Sequence, residues 1–259
     1  VFHLKLGVEL AGLRLPLKKA LHIAAGLGAD AVEIDARGEI TPRDLSRTGL
    51  RQLRKMLADH RLRVSAVSFQ TRRGYDTTAD LDARIAATKA AMDMAHDLGA
   101  PVVVNHIGAI PEDSGSDRWR LMVEVLGELG QHGQKVGALL AAETRTETGQ
   151  QMARLLAELP EESLAVDFNP GHLVAAGLDP LEVIAAVGPS VRHVHATDGM
   201  CEPSTRRGRA ALLGEGSADF PALLAALDEH GYRGDFTLSA RSSDPVAEIG
   251  RAMEYLRSI

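Results

Sequence analysis

The sequence predicts an α/β fold, a (β/α)8 TIM barrel, forming a single domain over residues 1–259. Two observations predict it. Short apolar runs rich in β-branched residues alternate with amphipathic stretches rich in Ala and Leu, and the pair recurs eight times without a Pro/Ser-rich linker. A chain of 259 residues is also long for an average domain but ordinary for one barrel. The rival arrangement, an open doubly wound sheet, would carry a Gly-rich phosphate loop after the first strand. The stretch GVELAGLRLP does not match G-x-G-x-x-G.

In chain order the pattern predicts a strand at 4–9 and a helix at 15–26, then a strand at 31–35 and a helix at 41–60. The next units are 63–69 with 79–98, 101–107 with 116–130, and 137–143 with 148–159. The last three are 164–167 with 179–187, 191–196 with 220–230, and 235–241 with 245–257. Local punctuation supports these limits. GLGAD, DLGAP and HGYRGDF each close a helix on glycine and lead into a strand. In ITPRDL, Thr41 is a candidate N-cap with Pro42 at the first helical position, and Asp179–Pro180 and Asp244–Pro245 repeat the device.

Hydrophobic residues make up 45% of the chain and charged residues 25%, enough for a real core under an ordinary surface. The formal net charge of −6 argues against gripping a phosphate backbone, so no nucleic-acid partner is expected. Cys201 is the one cysteine, which rules out an internal disulfide and predicts a reducing, cytoplasmic setting. No basic-then-apolar leader and no apolar run of about 18 residues is visible, so no membrane association is expected.

In barrels of this kind chemistry gathers at the C-terminal ends of the strands. Those ends carry Glu9, Glu33 and Asp35, Asn105 and His106, Glu143, Asp167, and His193 and His195. Side chains two apart share a face of a strand. Lys5, Gly7 and Glu9 therefore point inward together, Glu143 shares a face with Ala141, and Asp167 with Ala165. An inward cluster of Glu143, Asp167 and His195 follows. Two carboxylates and an imidazole suit a divalent metal, Mn²⁺, Mg²⁺, Co²⁺ or Zn²⁺. Such an ion can hold neighbouring oxygens of a polyol or ketose and stabilise the enediolate left when a C–H proton departs.

Plainer readings stand beside these. The three residues could form a polar pocket without metal. Glu9 and Glu33 could be interior polar groups at a wet barrel mouth. His193 lies one layer deeper than His195 and reads as support. His172 in NPGHL faces either substrate or solvent, and Asp198 either orients a histidine or substrate, or builds a turn. Arg72 and Arg73 in TRRGYD could clamp an anion but could equally be solvated. His22, His60, His96, His132 and His230 fall on helices or their ends and read as structural.

The chain resembles the xylose-isomerase-like barrel proteins, the sugar phosphate isomerase/epimerase superfamily. The likeness is carried by AVEID, VVVNHIG, LLAAET, LAVDFNPGHL, HVHATDG, EYLRSI and, most specifically, LGEGSADFPALLAALDEHGYRGDFTL. The resemblance implies a metal held by Glu143, Asp167 and His195, and a catalytic place for His106 by its position in NHIG. It also implies a fourth ligand, a glutamate at the end of the eighth strand. Here GDFTLSARSS puts Ser239 at that position. In the family's ketose epimerases the strand-5 and strand-8 glutamates act as an acid/base pair on opposite faces of the substrate. Only Glu143 would remain of that pair, which favours a one-base isomerisation or a dehydration and predicts weakened metal binding. Arg241 shares the face of Ser239 and could meet a substrate carboxylate or phosphate, or could pair with Glu215 or Asp198. Endonuclease activity, known in the same superfamily, would need more strand-end histidines and a basic face.

The expectation is a metal-dependent isomerase, epimerase or dehydratase acting on a small sugar or polyol, with pairing into a homodimer open to it. Glu143, His106 and Arg241 are its catalytic candidates, and Glu33, His172, His193, Asp198 and Ser239 its substrate-side ones. The alternative is a barrel that has lost catalysis and binds a carbohydrate or a partner protein.

Overall fold

In the computed structural model, which describes residues 4–202, 204–205 and 207–259, eight parallel strands close into a barrel. They are β1 (Lys5–Glu9), β2 (Ala31–Asp35), β3 (Arg63–Ser68), β4 (Val102–Asn105), β5 (Leu139–Glu143), β6 (Ala165–Phe168), β7 (Val191–His195) and β10 (Asp235–Leu238). Around the ring the order is β1-β10-β7-β6-β5-β4-β3-β2. The long helices between them are α1 (Leu17–Gly26), α2 (Arg47–Asp59), α3 (Leu81–Leu98), α4 (Asp117–Val136), α5 (Gly149–Glu158), α7 (Pro180–Val187), α8 (Phe220–Glu229) and α9 (Pro245–Ser258). The fold is a (β/α)8 TIM barrel.

Alternation along the strands divides the core in two. Leu6, Val8, Val103 and Val166 face outward, fully buried under the helices. A smaller cluster, Ala66, Val102, Val104, Ala141 and Ala165, belongs to the other face. Gly7 shows how crowded the interior is: a Cβ there would lie 3.0 Å from Thr237 Oγ1.

Several boundaries differ from the pattern, each for a local reason. Helix α2 starts at Arg47, capped by Ser46 Oγ accepting from Gly49 N at 3.1 Å. The expected cap, Thr41, instead donates to Asp44 Oδ2 at 2.6 Å. Helix α4 runs past the expected stop at Gly130 to Val136. Gly130 is a packing position, since a Cβ there would lie 2.3 Å from Ser163 Cβ. The helix ends at Gly137, where φ is +82° and glycine is the favoured residue. The last strand ends at Leu238 rather than 241, because Arg241 N and Ser242 N turn to Glu248 Oε2 at 3.1 and 2.7 Å.

Two elements were not anticipated. A short helix, α6 (Pro170–Ala175), follows β6, and an antiparallel hairpin, β8 (Asp198–Cys201) with β9 (Gly208–Ala211), follows β7. The hairpin lies against α6 so closely that a Cβ on Gly208 would collide with Ala175 O. No helix among the described residues is long and apolar enough to cross a membrane.

Candidate active site

The C-terminal strand ends surround a cavity of about 600 Å³. Glu9 and Glu33 enter it from β1 and β2, where they are register partners. Glu143 enters from β5 and His195 from β7, while Ser239 and Arg241 follow β10. His106 and His172 also line it, with Asp35, Arg37 and Arg145.

The floor is built around one imidazole. His195 Nδ1 lies 2.7 Å from Asp167 Oδ2, and its Nε2 lies 3.0 Å from Glu33 Oε2. Asp167 turns its other oxygen to His193 Nδ1 at 2.8 Å, and His193 Nε2 meets Thr237 Oγ1 at 2.8 Å. The β6 and β7 registers explain the group: Asp167 pairs with His193 across a register shift, which brings His195 within reach of the same carboxylate. Beside this group Glu143, the register partner of Asp167, accepts at Oε1 from Asn169 Nδ2 at 3.0 Å and lies 3.3 Å from His172 Nδ1. Its Oε2 accepts from Gln70 Nε2 at 3.2 Å.

These contacts set the charges. Burial resists ionisation of Asp167, but the two histidines outweigh it and hold the carboxyl well below the usual range. Burial likewise disfavours the charged His195, and the flanking Asp167 and Glu33 carboxylates override it, raising the imidazole well above its ordinary value. At Glu143 burial and Asp167 push the carboxyl up, while His172 and His195 prevail and keep it below 4.5. Glu9 behaves differently. Burial, then the charge of Glu33, raise its carboxyl to about 7 against the opposing pull of His195 and Arg241.

The structure brings Glu33, Glu143, His106, His172, His195, Ser239 and Arg241 to one cavity. It does not bring His193 there: that side chain is 1% exposed, sealed between Asp167 and Thr237, and lies beneath the cavity floor. Asp198 is a second correction. Its carboxylate accepts from the backbone amides of Gly199, Gly214, Gly216 and Ala218 at 2.8 to 3.1 Å, so it ties the loop after the hairpin back to the hairpin's first strand and bonds no histidine. His106 Nε2 is bonded to the Thr71 carbonyl, which limits what that nitrogen can offer a substrate. Arg241 pairs with neither Glu215 nor Asp198; its guanidinium lies 3.5 Å from His172 Nε2. Of the suggested Arg72 and Arg73 clamp, neither arginine lines the cavity, and Arg73 pairs with Asp80 on the surface; Thr71 is the residue of TRRGYD that lines it.

Sequence reasoning passed over Gln70 and Asn169, the amides that hold Glu143. Asn169 stands in NPGHL beside a residue already singled out, and its burial at 2% is a property of packing. Nothing in the local pattern marks Gln70.

One oxygen or nitrogen from each of Glu143, Asp167 and His195 lies within 4.8 Å of the other two, as do atoms of Glu33, His193 and His195. The first set fits a divalent cation better. Glu143 and His195 open on the cavity, whereas His193 is sealed beneath it and does not line it. Three carboxylates, Glu33, Glu143 and Asp167, surround His195, an excess of negative charge that favours a cation. The β10 side contributes only the Ser239 hydroxyl, a weaker donor than a carboxylate.

A closed barrel with a carboxylate and imidazole cluster at its C-terminal mouth defines a class of α/β barrel built to handle small polar molecules. The profile of the xylose isomerase-like TIM barrel family matches residues 21–259, and the chain belongs to that family. An inosose dehydratase of Geobacillus thermodenitrificans is 26% identical over 242 residues, covering 79% of each chain. A curated inosose dehydratase from Clostridium perfringens matches over less: the chain spans 52% of its length, at 28% identity. Among solved structures, a xylose isomerase domain protein from Planctomyces limnophilus superposes with a TM-score of 0.87 at 23% identity, covering 99% of this chain and 97% of that one. A xylose isomerase-like TIM barrel protein from Mycobacterium smegmatis in complex with magnesium gives 0.76 at 20% identity, covering 98% and 95%. At these identities the structural likeness speaks for the fold.

Proposed function

We propose that this protein is a divalent-metal-dependent dehydratase of a keto-polyol such as an inosose, with Glu143 as the base that removes a proton from the carbon beside the carbonyl. The observation that carries this reading is the setting of Glu143. It is 7% exposed, opens on the cavity, and is held ionised by His172 and His195 beside the candidate metal ligands. The names of the curated relatives support the substrate class. Glu143, Asp167 and His195 would hold the cation, with Mn²⁺ or Mg²⁺ suited to the oxygen-rich set. A bound cation would polarise the substrate carbonyl and so acidify the neighbouring C–H. Asn169 and Gln70 aim the Glu143 carboxylate, and His172 and Arg241 line the wall where substrate oxygens would lie.

The test pairs metal content with turnover. Purified protein incubated with Mn²⁺ should retain it, and His195→Ala should not. The loaded protein should release water from an inosose, and Glu143→Gln should lose that activity by about 10²–10⁴-fold. A second reading has one observation in its favour: Ser239 where the family pattern expects a glutamate. A barrel that binds a carbohydrate without turning it over would hold inosose but show neither retained metal nor solvent exchange of a substrate C–H.

A further inference from the structure

We infer that Glu9 is the second proton-transfer residue, the acid that protonates the hydroxyl leaving the substrate while Glu143 takes the carbon-bound proton. This rests on the dehydratase reading above. The balance is simple: the C–H electrons form the new C=C bond, the C–O bond breaks, the carbon's proton ends on Glu143, and the proton of Glu9 leaves in the water.

Three observations carry it. The first is topological. From β1 the ring reaches β5 through β10, β7 and β6 in one direction and through β2, β3 and β4 in the other, so Glu9 and Glu143 stand on diametrically opposite strands of one cavity. A substrate between them would be approached from two sides, as a base on one carbon and an acid on its neighbour's oxygen require. The second is the neighbouring strand end: β10, which adjoins β1, brings Ser239 and Arg241 but no carboxyl to the cavity, so no acid on that side competes with Glu9. The third is availability. Glu33 is ion-paired with His195, Asp167 is bound to both floor histidines, Asp35 accepts from the Arg37 amide, and His106 is bound to the Thr71 carbonyl. Among the described residues the Glu9 carboxylate forms no hydrogen bond or ion pair, so it is the acid in the cavity not already committed.

The experiment follows two events separately in D2O with the Mn²⁺-loaded protein and an inosose: deuterium entering the substrate, and water leaving it. Glu9→Gln should keep deuterium incorporation within about threefold of wild type while water loss falls by about 10²–10⁴-fold, the usual worth of a positioned acid. Glu143→Gln should abolish both. An inosose with fluorine in place of the departing hydroxyl needs no proton on its leaving group, so Glu9→Gln should expel fluoride at close to the wild-type rate. Wild-type dehydration by Glu9→Gln overturns the inference and leaves the function standing. Failure of the fluoro substrate to rescue the variant, or loss of exchange together with elimination, also overturns it, because Glu9 would then serve folding or binding. A wild-type protein that neither exchanges nor dehydrates the substrate overturns the proposed function itself.

Discussion

At Asp167 both carboxylate oxygens face imidazole nitrogens, at 2.8 and 2.7 Å, so the residue is pinned in an orientation that no exposed aspartate would keep. Two of the carboxylates on the cavity wall show what such surroundings do. Glu143, neighboured by histidines, is lowered, whereas Glu9, buried and then neighboured by Glu33, is raised to about 7 from 4.5. For metal-free protein the sign of the Glu9 effect on stability follows. Between about 4.5 and 7 the folded chain keeps a proton the unfolded chain has lost, so this group's contribution falls as pH rises through that window. Glu9→Gln should therefore gain melting temperature relative to wild type as pH goes from about 5 to about 8. Parallel thermal melts check this; a constant offset would mean the carboxyl is not raised. Ser239→Glu, restoring a carboxylate beside the candidate ligands, should tighten Mn²⁺ binding by about tenfold or more in a calorimetric titration. Weaker binding would show that Ser239 is not the fourth-ligand position.

Single elements explain where local pattern and structure diverge. Ser46 and Thr41 are both plausible helix caps by residue type, yet only Ser46 accepts a helical amide. Ser46→Ala should cost about 1 kcal/mol in denaturant unfolding, and Thr41→Ala, which breaks only an exposed side-chain contact, appreciably less. The β8–β9 hairpin depends on Asp198, whose two oxygens gather four backbone amides from residues 199–218. Sequence position beside HVH suggested a chemical role for it; the fold spends it on a loop whose backbone donors need an acceptor. A similar hidden constraint keeps α4 continuous through Gly130, because the glycine that reads as a stop is where the helix packs on Ser163.

For the whole molecule, the strongest consequence is linkage between metal and folding. The candidate ligands come from β5, β6 and β7, which are neighbours in the ring but far apart in the unfolded chain. A cation bound there stabilises the folded barrel alone. Excess Mn²⁺ at about 100 times its dissociation constant should add about 2.7 kcal/mol, read as a rise in melting temperature that chelator reverses and His195→Ala abolishes. No rise in wild type would show that the cluster does not bind the ion.

Sequence alone determined the barrel, since eight alternations of strand and helix pattern in one chain have few other ways to bury their apolar faces. It also put Glu9, Glu33, Glu143 and His195 at strand ends, because the period of two assigns each side chain a face before any packing is known. Tertiary structure decided the rest. Which carboxylate stands opposite which depends on ring order, and the pairing of Glu9 with Glu143 across the mouth cannot be read from positions 134 residues apart in the chain (143 − 9). Likewise the burial of His193, the capture of Asp198 by backbone amides and the support of Glu143 by Gln70 and Asn169 arise from contacts between distant segments. Local pattern specifies where a side chain points; only closure of the barrel specifies what it meets.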